Sequence, residues 1–249
     1  MSGERVLVTG SAGVIGSAVC KALSARGHWV RGFDVKPTPG VPDARTGSVA
    51  DAAAMDTATA GMSTLVHLAA TVNDADFLPD LLPNNILGVY HVLESARRHK
   101  LRRVVLASSI QAVGGIRHPD SRPVCVSDGI APANMYGVTK VFAEAAGYCY
   151  AVQHGLSVVA VRIAWLPRTA ADAEAIGRHG AQAAYLSRDD AGRLFVRCVE
   201  AEPVKYALVF GVSRNRGTPA FDPEPARRLL GFEPQDDYPA GLPSEWGIA

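Results

Sequence analysis

The 249-residue chain predicts an α/β fold, a doubly wound parallel sheet with helices on both faces, and three observations carry that prediction. Short β-branched apolar runs alternate with stretches of helical periodicity through the first two-thirds of the chain, as strand–helix–strand units require. The first run is followed at once by three regularly spaced glycines that open a helix. A later run, Arg103-Val-Val-Leu-Ala107, is apolar almost throughout, as a strand covered on both faces is.

Taken in order, Arg5-Val-Leu-Val-Thr9 reads as the first strand, Gly10-Ser-Ala-Gly13-Val-Ile-Gly16 as a turn, and Ser17 to Ala25 as a helix. The first glycine permits a tight turn and the second lets backbone approach a pyrophosphate. The third allows close helix–strand packing, and the helix N-terminus supplies N–H donors and a positive dipole end. Gly10, Ala12, Gly13, Val14, Ile15 and Gly16 are therefore candidate cofactor contacts. The run from His28 to Phe33 ends in Asp34 and Val35, about 20 residues on, where an acidic residue binds adenosine ribose hydroxyls. A carboxylate there repels a 2′-phosphate, so the fingerprint predicts NAD over NADP, although Lys36 lies near.

A Pro/Gly-rich loop from Pro37 to Pro42 follows, then a helix from Asp51 to about Ala60 and a strand from Ser63 to Leu68. Asn84 to His99 reads as a helix with Ile86, Val89, Tyr90 and Leu93 on one face. The buried strand Arg103–Ala107 delivers Ser108-Ser109 at its carboxyl end, and Tyr136 to His154 is the next helix. A strand spans Ser157 to Ile163, a helix Asp189 to Glu200, a strand Lys205 to Phe210 and a short helix Asp222 to Leu230. The remaining loops, Pro167–Arg188 and Ser213–Pro219, lack a core-sized apolar block. The expectation is one Rossmann-type domain over 1–249, with substrate-facing cap segments at about 165–188 and 211–249.

Hydrophobic residues make up 48% and charged residues 20%, with a formal net charge of +1. That balance gives no electrostatic reason to expect nucleic acid or an anionic membrane as partner. No apolar run approaches the ~20 residues that span a bilayer. Met-Ser-Gly-Glu leads straight into the first strand, so no signal peptide is expected. Cys20, Cys125, Cys149 and Cys198 are scattered without metal-ligand spacing, which fits reduced thiols in a cytoplasmic protein and no metal site.

The chemistry is carried by Asn134-Met-Tyr-Gly-Val-Thr-Lys140 and by Ser109 upstream of it. Positions i and i+4 share a helix face, so the Tyr136 phenol and Lys140 ammonium can serve one reacting centre. A free tyrosine titrates near ~10 and is a poor base at neutrality, but an ammonium beside a phenol favours the phenolate. A serine hydroxyl on the same substrate oxygen completes a site for moving a proton on and off an alcohol.

Together Thr9-Gly10-x-x-Gly13-x-x-Gly16, His67-Leu-Ala-Ala70, Asn85-Ile-Leu-Gly88, Ala107-Ser-Ser109, Tyr136-x-x-x-Lys140 and Val161-Arg162 resemble the extended short-chain dehydrogenase/reductase superfamily, the NAD-dependent epimerases and dehydratases. The resemblance implies that Tyr136 is the acid/base, that Lys140 binds the nicotinamide ribose, and that Ser109 rather than Ser108 orients the substrate hydroxyl. It adds Leu68, Ala69, Ala70, Asn85, Ala107 and Ile163 to the cofactor site, and suggests a homodimer through the helices Asn84–His99 and Tyr136–His154. Asn85 also reads as a helix brace and His67 as a packed strand residue.

The chain is shorter than typical nucleotide-sugar members, and Trp165 stands where they carry an asparagine. Its end is instead similar to the uronate dehydrogenase family, through Ser187-Arg-Asp-Asp190, Val209-Phe-Gly-Val-Ser213-x-Asn215 and Ala226-x-x-Leu-Leu-Gly231-Phe-x-Pro234-x-Asp236. That likeness implies NAD-dependent oxidation of a small sugar acid to a lactone. Thr71, Asn73, Ile110, Gln111 and Trp165 are expected to touch substrate. The family's carboxylate-binding arginine aligns near Gly180, leaving Arg168 and Arg178 as candidates. Rival readings are an epimerase or dehydratase with retained NAD, a dehydrogenase or reductase for a non-sugar alcohol or ketone, and a non-catalytic NAD sensor.

Overall fold

The computed structural model describes residues 3–118 and 122–248. Among them, seven strands form one parallel sheet: β1 Arg5–Thr9, β2 Trp29–Asp34, β3 Asp43–Thr46, β4 Thr64–His67, β5 Arg103–Ser109, β6 Ser157–Ile163 and β7 Tyr206–Gly211. Their spatial order is β3-β2-β1-β4-β5-β6-β7, with every pairing parallel. The order reverses between β1 and β4, and a crevice opens beyond the carboxyl ends of strands at such a point.

Alternation along each strand sends successive side chains to opposite faces. Val6 and Val8 pack with Val19, Leu23, Phe195 and Leu230, from α1 Val14–Ala25, α6 Arg188–Glu200 and α7 Glu224–Leu230. Leu7 packs on the other side with Met55, Val92, Leu93 and Ala143, from α2 Ala52–Thr59, α3 Gly88–Arg98 and α4 Met135–His154. Sandwiched in this way, the strands carry apolar residues on both faces, as the unbroken run in β5 predicts. Among the described residues no helix is long and apolar enough to cross a membrane.

Three local features differ from the sequence expectation. Asp43-Ala-Arg-Thr46 extends the sheet as an edge strand after the expected Pro37–Pro42 loop, where the sequence reading assigned no element. Three of its four residues are polar and the edge is half solvated, and the buried Arg31 anchors it through Nε to Asp43 Oδ2 at 2.7 Å. The helix expected from Asn84 is regular only from Gly88. Residues Phe77–Leu87 form a wide π-type helix around Pro83, and the Gly88 N–H donates to the Pro83 carbonyl five residues back. Proline brings no N–H of its own to an ordinary helical ladder. Finally, the expected loop 167–188 contains α5 Ala170–Arg178, started by a reciprocal cap between Thr169 and Asp172.

Arg103 holds the lower edge of the sheet. Fully buried at the start of β5, its guanidinium donates to the carbonyls of Cys198, Ala201 and Glu202 at 2.8 Å and of Val199 at 3.3 Å. A cation at a helix C-terminus meets both the orphaned carbonyls and the negative dipole end. Asp190, also fully buried, ties down the end of the chain. It accepts from the Gln235 and Asp236 backbone N–H groups at 2.8 and 3.0 Å and from Ser213 Oγ at 2.7 Å.

Candidate active site

The crevice at the strand reversal has a volume of about 900 Å³ and runs from the β1–α1 turn to α5. Its floor at one end is the glycine turn. Gly10 has φ +72°, and a Cβ there would lie 2.6 Å from the Ala69 nitrogen; a Cβ on Gly16 would lie 2.0 Å from the Gly10 carbonyl oxygen. Only hydrogen fits at either position, and the turn is drawn tight against the helix that follows. Gly13 caps α1 without a side-chain hydrogen bond. Gly13, Val14, Ile15 and Gly16 line the cleft there, facing Asp34 and Val35 at the end of β2. Asp34 accepts from the Ala12 N–H and from the Lys36 N–H, both at 3.0 Å, which fixes the carboxylate beside the turn. A glycine-built turn at an uncapped helix N-terminus, with a carboxylate at its rim, fits the pyrophosphate and ribose of a dinucleotide.

Leu68, Ala69, Ala70, Ala107 and Ile163 form the middle of the cleft, at the carboxyl ends of β4, β5 and β6. Ser109, Tyr136 and Lys140 converge beside them. Lys140 Nζ donates to the Ala107 carbonyl at 2.9 Å and lies 5.4 Å from the Tyr136 ring centroid. Among the described residues Ser109 Oγ accepts only the local Gln111 N–H, at 3.2 Å, whereas Ser108 Oγ donates to Glu144 at 2.5 Å. Of the two serines, Ser109 is thus the one free to hold a substrate oxygen. Gly137 lets the serine loop close on α4: a Cβ there would sit 2.4 Å from the Gln111 carbonyl. His67 is a buried strand residue with Nδ1 2.8 Å from Thr9 Oγ1; burial and then the Lys140 charge push it down to about 3.

Asn73, Ile110, Gln111, Trp165 and Arg168 line the far end of the cleft. Trp165 is clamped through its backbone, donating to Ala184 at 2.7 Å and accepting from Leu186 at 3.0 Å. Arg168, exposed at the start of α5, makes no side-chain hydrogen bond or ion pair among the described residues. Arg178 stands at the opposite end of α5 and outside the cleft lining. Three other expected contacts are likewise not among the lining residues. Ala12 meets Asp34. Asn85 spends its amide on the Thr71 backbone at 2.8 and 2.9 Å and on Thr139 Oγ1 at 3.1 Å. The Thr71 hydroxyl donates to the Asp80 carbonyl and accepts from Asn84.

The cleft also includes Ser48, Val49, Leu166 and Asp172, none of which the sequence reading proposed. Ser48 and Val49 follow the polar edge strand β3, whose own signal is weak. Asp172 was legible as the third helical residue after Thr169, a capping pattern in plain sequence.

Residues 6–166 match the family described as the NAD dependent epimerase/dehydratase family. The chain is 31% identical to the NAD-dependent glucose-6-phosphate dehydrogenase of Haloferax volcanii, with 94% of each chain covered. It is 32% identical to the L-arabinose 1-dehydrogenase (NAD(P)(+)) of the same organism, covering 94% of this chain and 97% of the relative. The structure of a uronate dehydrogenase variant from Agrobacterium tumefaciens complexed with NAD superposes with a TM-score of 0.80 at 26% identity, covering 94% of this chain and 86% of that one. The glycine cradle, Asp34 and the Ser109–Tyr136–Lys140 set are thus found on a chain that belongs to the NAD-dependent epimerase/dehydratase family, as an NAD-dependent dehydrogenase.

Proposed function

We propose that this dehydrogenase oxidises the anomeric hydroxyl of a small free sugar acid, in the manner of a uronate dehydrogenase, and releases a lactone. The observation that carries the sugar-acid reading is Arg168, whose unpartnered guanidinium lines the cleft at the end away from the glycine turn. Lys36 and Lys140 are the other cations lining it; Lys36 follows Asp34, and Lys140 is held on Ala107. A guanidinium is the natural bidentate partner of a carboxylate.

In the reaction, Ser109 holds the substrate oxygen and Tyr136, as phenolate, takes the hydroxyl proton. Lys140 keeps a positive charge beside that phenol and anchors it to the end of β5 through Ala107. NAD, when bound, supplies the hydride acceptor. The glycine turn and Asp34 would hold its pyrophosphate and adenosine ribose, and Trp165 closes the substrate end. The segments 165–188 and 211–249 act as a cap on a single domain. The apolar residues exposed on α3 and α4, Tyr90, Val138, Tyr148 and Val152, support a homodimer through those helices. The four free cysteines, with Cys20 and Cys198 pushed up to about 12 by burial, suit a reducing cytoplasm.

The test is NADH absorbance with NAD and a panel of glucuronate, galacturonate, the matching neutral sugars and simple secondary alcohols. Turnover on uronates, with KM raised at least tenfold by Arg168→Met and kcat little changed, supports the reading. Turnover confined to neutral sugars would replace it. Asp172, a carboxylate on the same wall as Arg168, favours that second outcome, and one relative is named for a neutral pentose.

A further inference from the structure

Two charged residues that the proton-transfer scheme does not use are buried beneath it. Glu144 and Arg162 are 6% and 1% exposed. They pair in a bidentate fashion, Nε to Oε1 at 2.9 Å and Nη2 to Oε2 at 2.8 Å. Ser108 Oγ donates to the same Oε1 at 2.5 Å, and the Tyr206 hydroxyl donates to the Glu144 carbonyl at 3.3 Å. Arg162 Nη1 is buried with no hydrogen-bond partner among the described residues, and the guanidinium lies 5.5 Å from the Phe210 ring centroid.

Such a pair is a poor device for stability. Desolvating two charges offsets most of their attraction, and an orphaned N–H lowers the return further. What a buried bidentate pair does enforce is one mutual geometry, because any slippage leaves a charge uncompensated in a low-dielectric interior.

Its placement gives that constraint a use. Ser108, itself in the cleft lining, and Arg162 are register partners on β5 and β6, and each immediately precedes a further cleft residue, Ser109 and Ile163. Glu144 lies on α4 four residues beyond Lys140 and eight beyond Tyr136, so all three stand along neighbouring turns of one helix. We propose that Ser108, Glu144 and Arg162 form a positioning network that sets α4 against the end of β5, and thereby sets Tyr136 and Lys140 against Ser109. Gly137 on the serine loop and Lys140 on Ala107 tie the first turns of α4, and the network ties the next. The proposal rests on proton transfer through Tyr136 and not on which sugar is oxidised.

Two variants of the full chain test it. Glu144→Leu with Arg162→Met replaces the charges by apolar groups of similar volume, and Ser108→Ala severs only the link to β5. Fluorine NMR of fluorotyrosine-labelled protein, with the Tyr136 signal identified by Tyr136→Phe, reads the phenol's surroundings without any substrate. kcat and KM are read on whichever alcohol the wild type oxidises. The expected result is folded variants with near-wild-type melting temperatures, a displaced or broadened Tyr136 signal, and kcat lowered at least tenfold while KM for NAD changes less than threefold. A folded Ser108→Ala or double variant whose Tyr136 signal stays in place overturns the proposal, even if its melting temperature falls. Should the wild type oxidise none of the panel, the substrate assignment fails, and the fluorine signal still decides the network.

Discussion

At the scale of single residues, the cleft separates groups that do chemistry from groups that hold it. The Tyr136 hydroxyl makes no hydrogen bond among the described residues, whereas the side-chain polar atoms of Asn85 and Ser108 are all engaged with protein. Tyr136→Phe should therefore lower kcat by about 10²–10⁴-fold, the range for one acid/base group, with NAD affinity little changed; stopped assays at saturating NAD and a separate NAD titration measure the two. His67 makes a pH-dependent contribution of definite sign. In the unfolded chain its imidazole takes up a proton near 6.5, but in the fold only at about 3. The unfolded state binds the extra proton between those values, so this stability is present above pH 6.5 and lost as pH falls towards about 3. The slope from this one group is up to about 1.4 kcal/mol per pH unit. Denaturant midpoints followed from neutrality into acid should fall less steeply in His67→Asn than in the wild type; parallel curves would assign the acid limit to other groups.

At the scale of elements, helix ends are where the chain invests its charged side chains. Thr169 and Asp172 start α5 by capping each other, and Arg103 finishes α6 by filling its carbonyls. Replacing Arg103 with methionine keeps the bulk but leaves several buried carbonyls without a donor, each worth about 1–3 kcal/mol. Urea unfolding should show a loss of about 3 kcal/mol, with NAD binding retained in the folded protein because β5 delivers its cleft residues at the far end. A loss below about 1 kcal/mol would mean that water replaces the guanidinium. The Ser187-x-x-Asp190 sequence, read from resemblance as a family mark, has a mechanical job here. It starts α6 and grips Gln235 and Asp236, which keeps the chain end beside the wall that carries Trp165 and Tyr185.

At the scale of the whole molecule, the strand reversal between β1 and β4 places one dinucleotide-sized crevice along the carboxyl edge of the sheet. A ligand that binds only the folded state at about 100 times its Kd adds roughly 2.7 kcal/mol. NAD should therefore raise the melting temperature more than NADP at equal concentration, since the Asp34 carboxylate beside the glycine turn would repel a 2′-phosphate. Thermal-shift curves with both dinucleotides on wild type and Asp34→Ala check this: the gap should narrow in the variant, and an equal response in the wild type would remove Asp34 as the selector.

The sequence by itself determined the sheet class, the order of most elements, the glycine turn with Asp34, and the Tyr136–Lys140 pair, because each depends on local spacing; Ser109 is read from family resemblance, and the fold brings it beside that pair. A tight βα turn needs glycine at Gly10, and two side chains one helical turn apart share a face wherever that helix goes. Only the tertiary structure separated Arg168 from Arg178, gave the Thr71 hydroxyl to Asp80 and Asn84, brought Ser48, Val49 and Asp172 into the cleft, and joined Glu144 to Arg162. Those outcomes depend on which elements come to lie side by side across long stretches of chain. The polar edge strand β3 belongs with them: its residues show no apolar pattern, and its place in the sheet follows from pairing with β2 and from the Arg31–Asp43 contact.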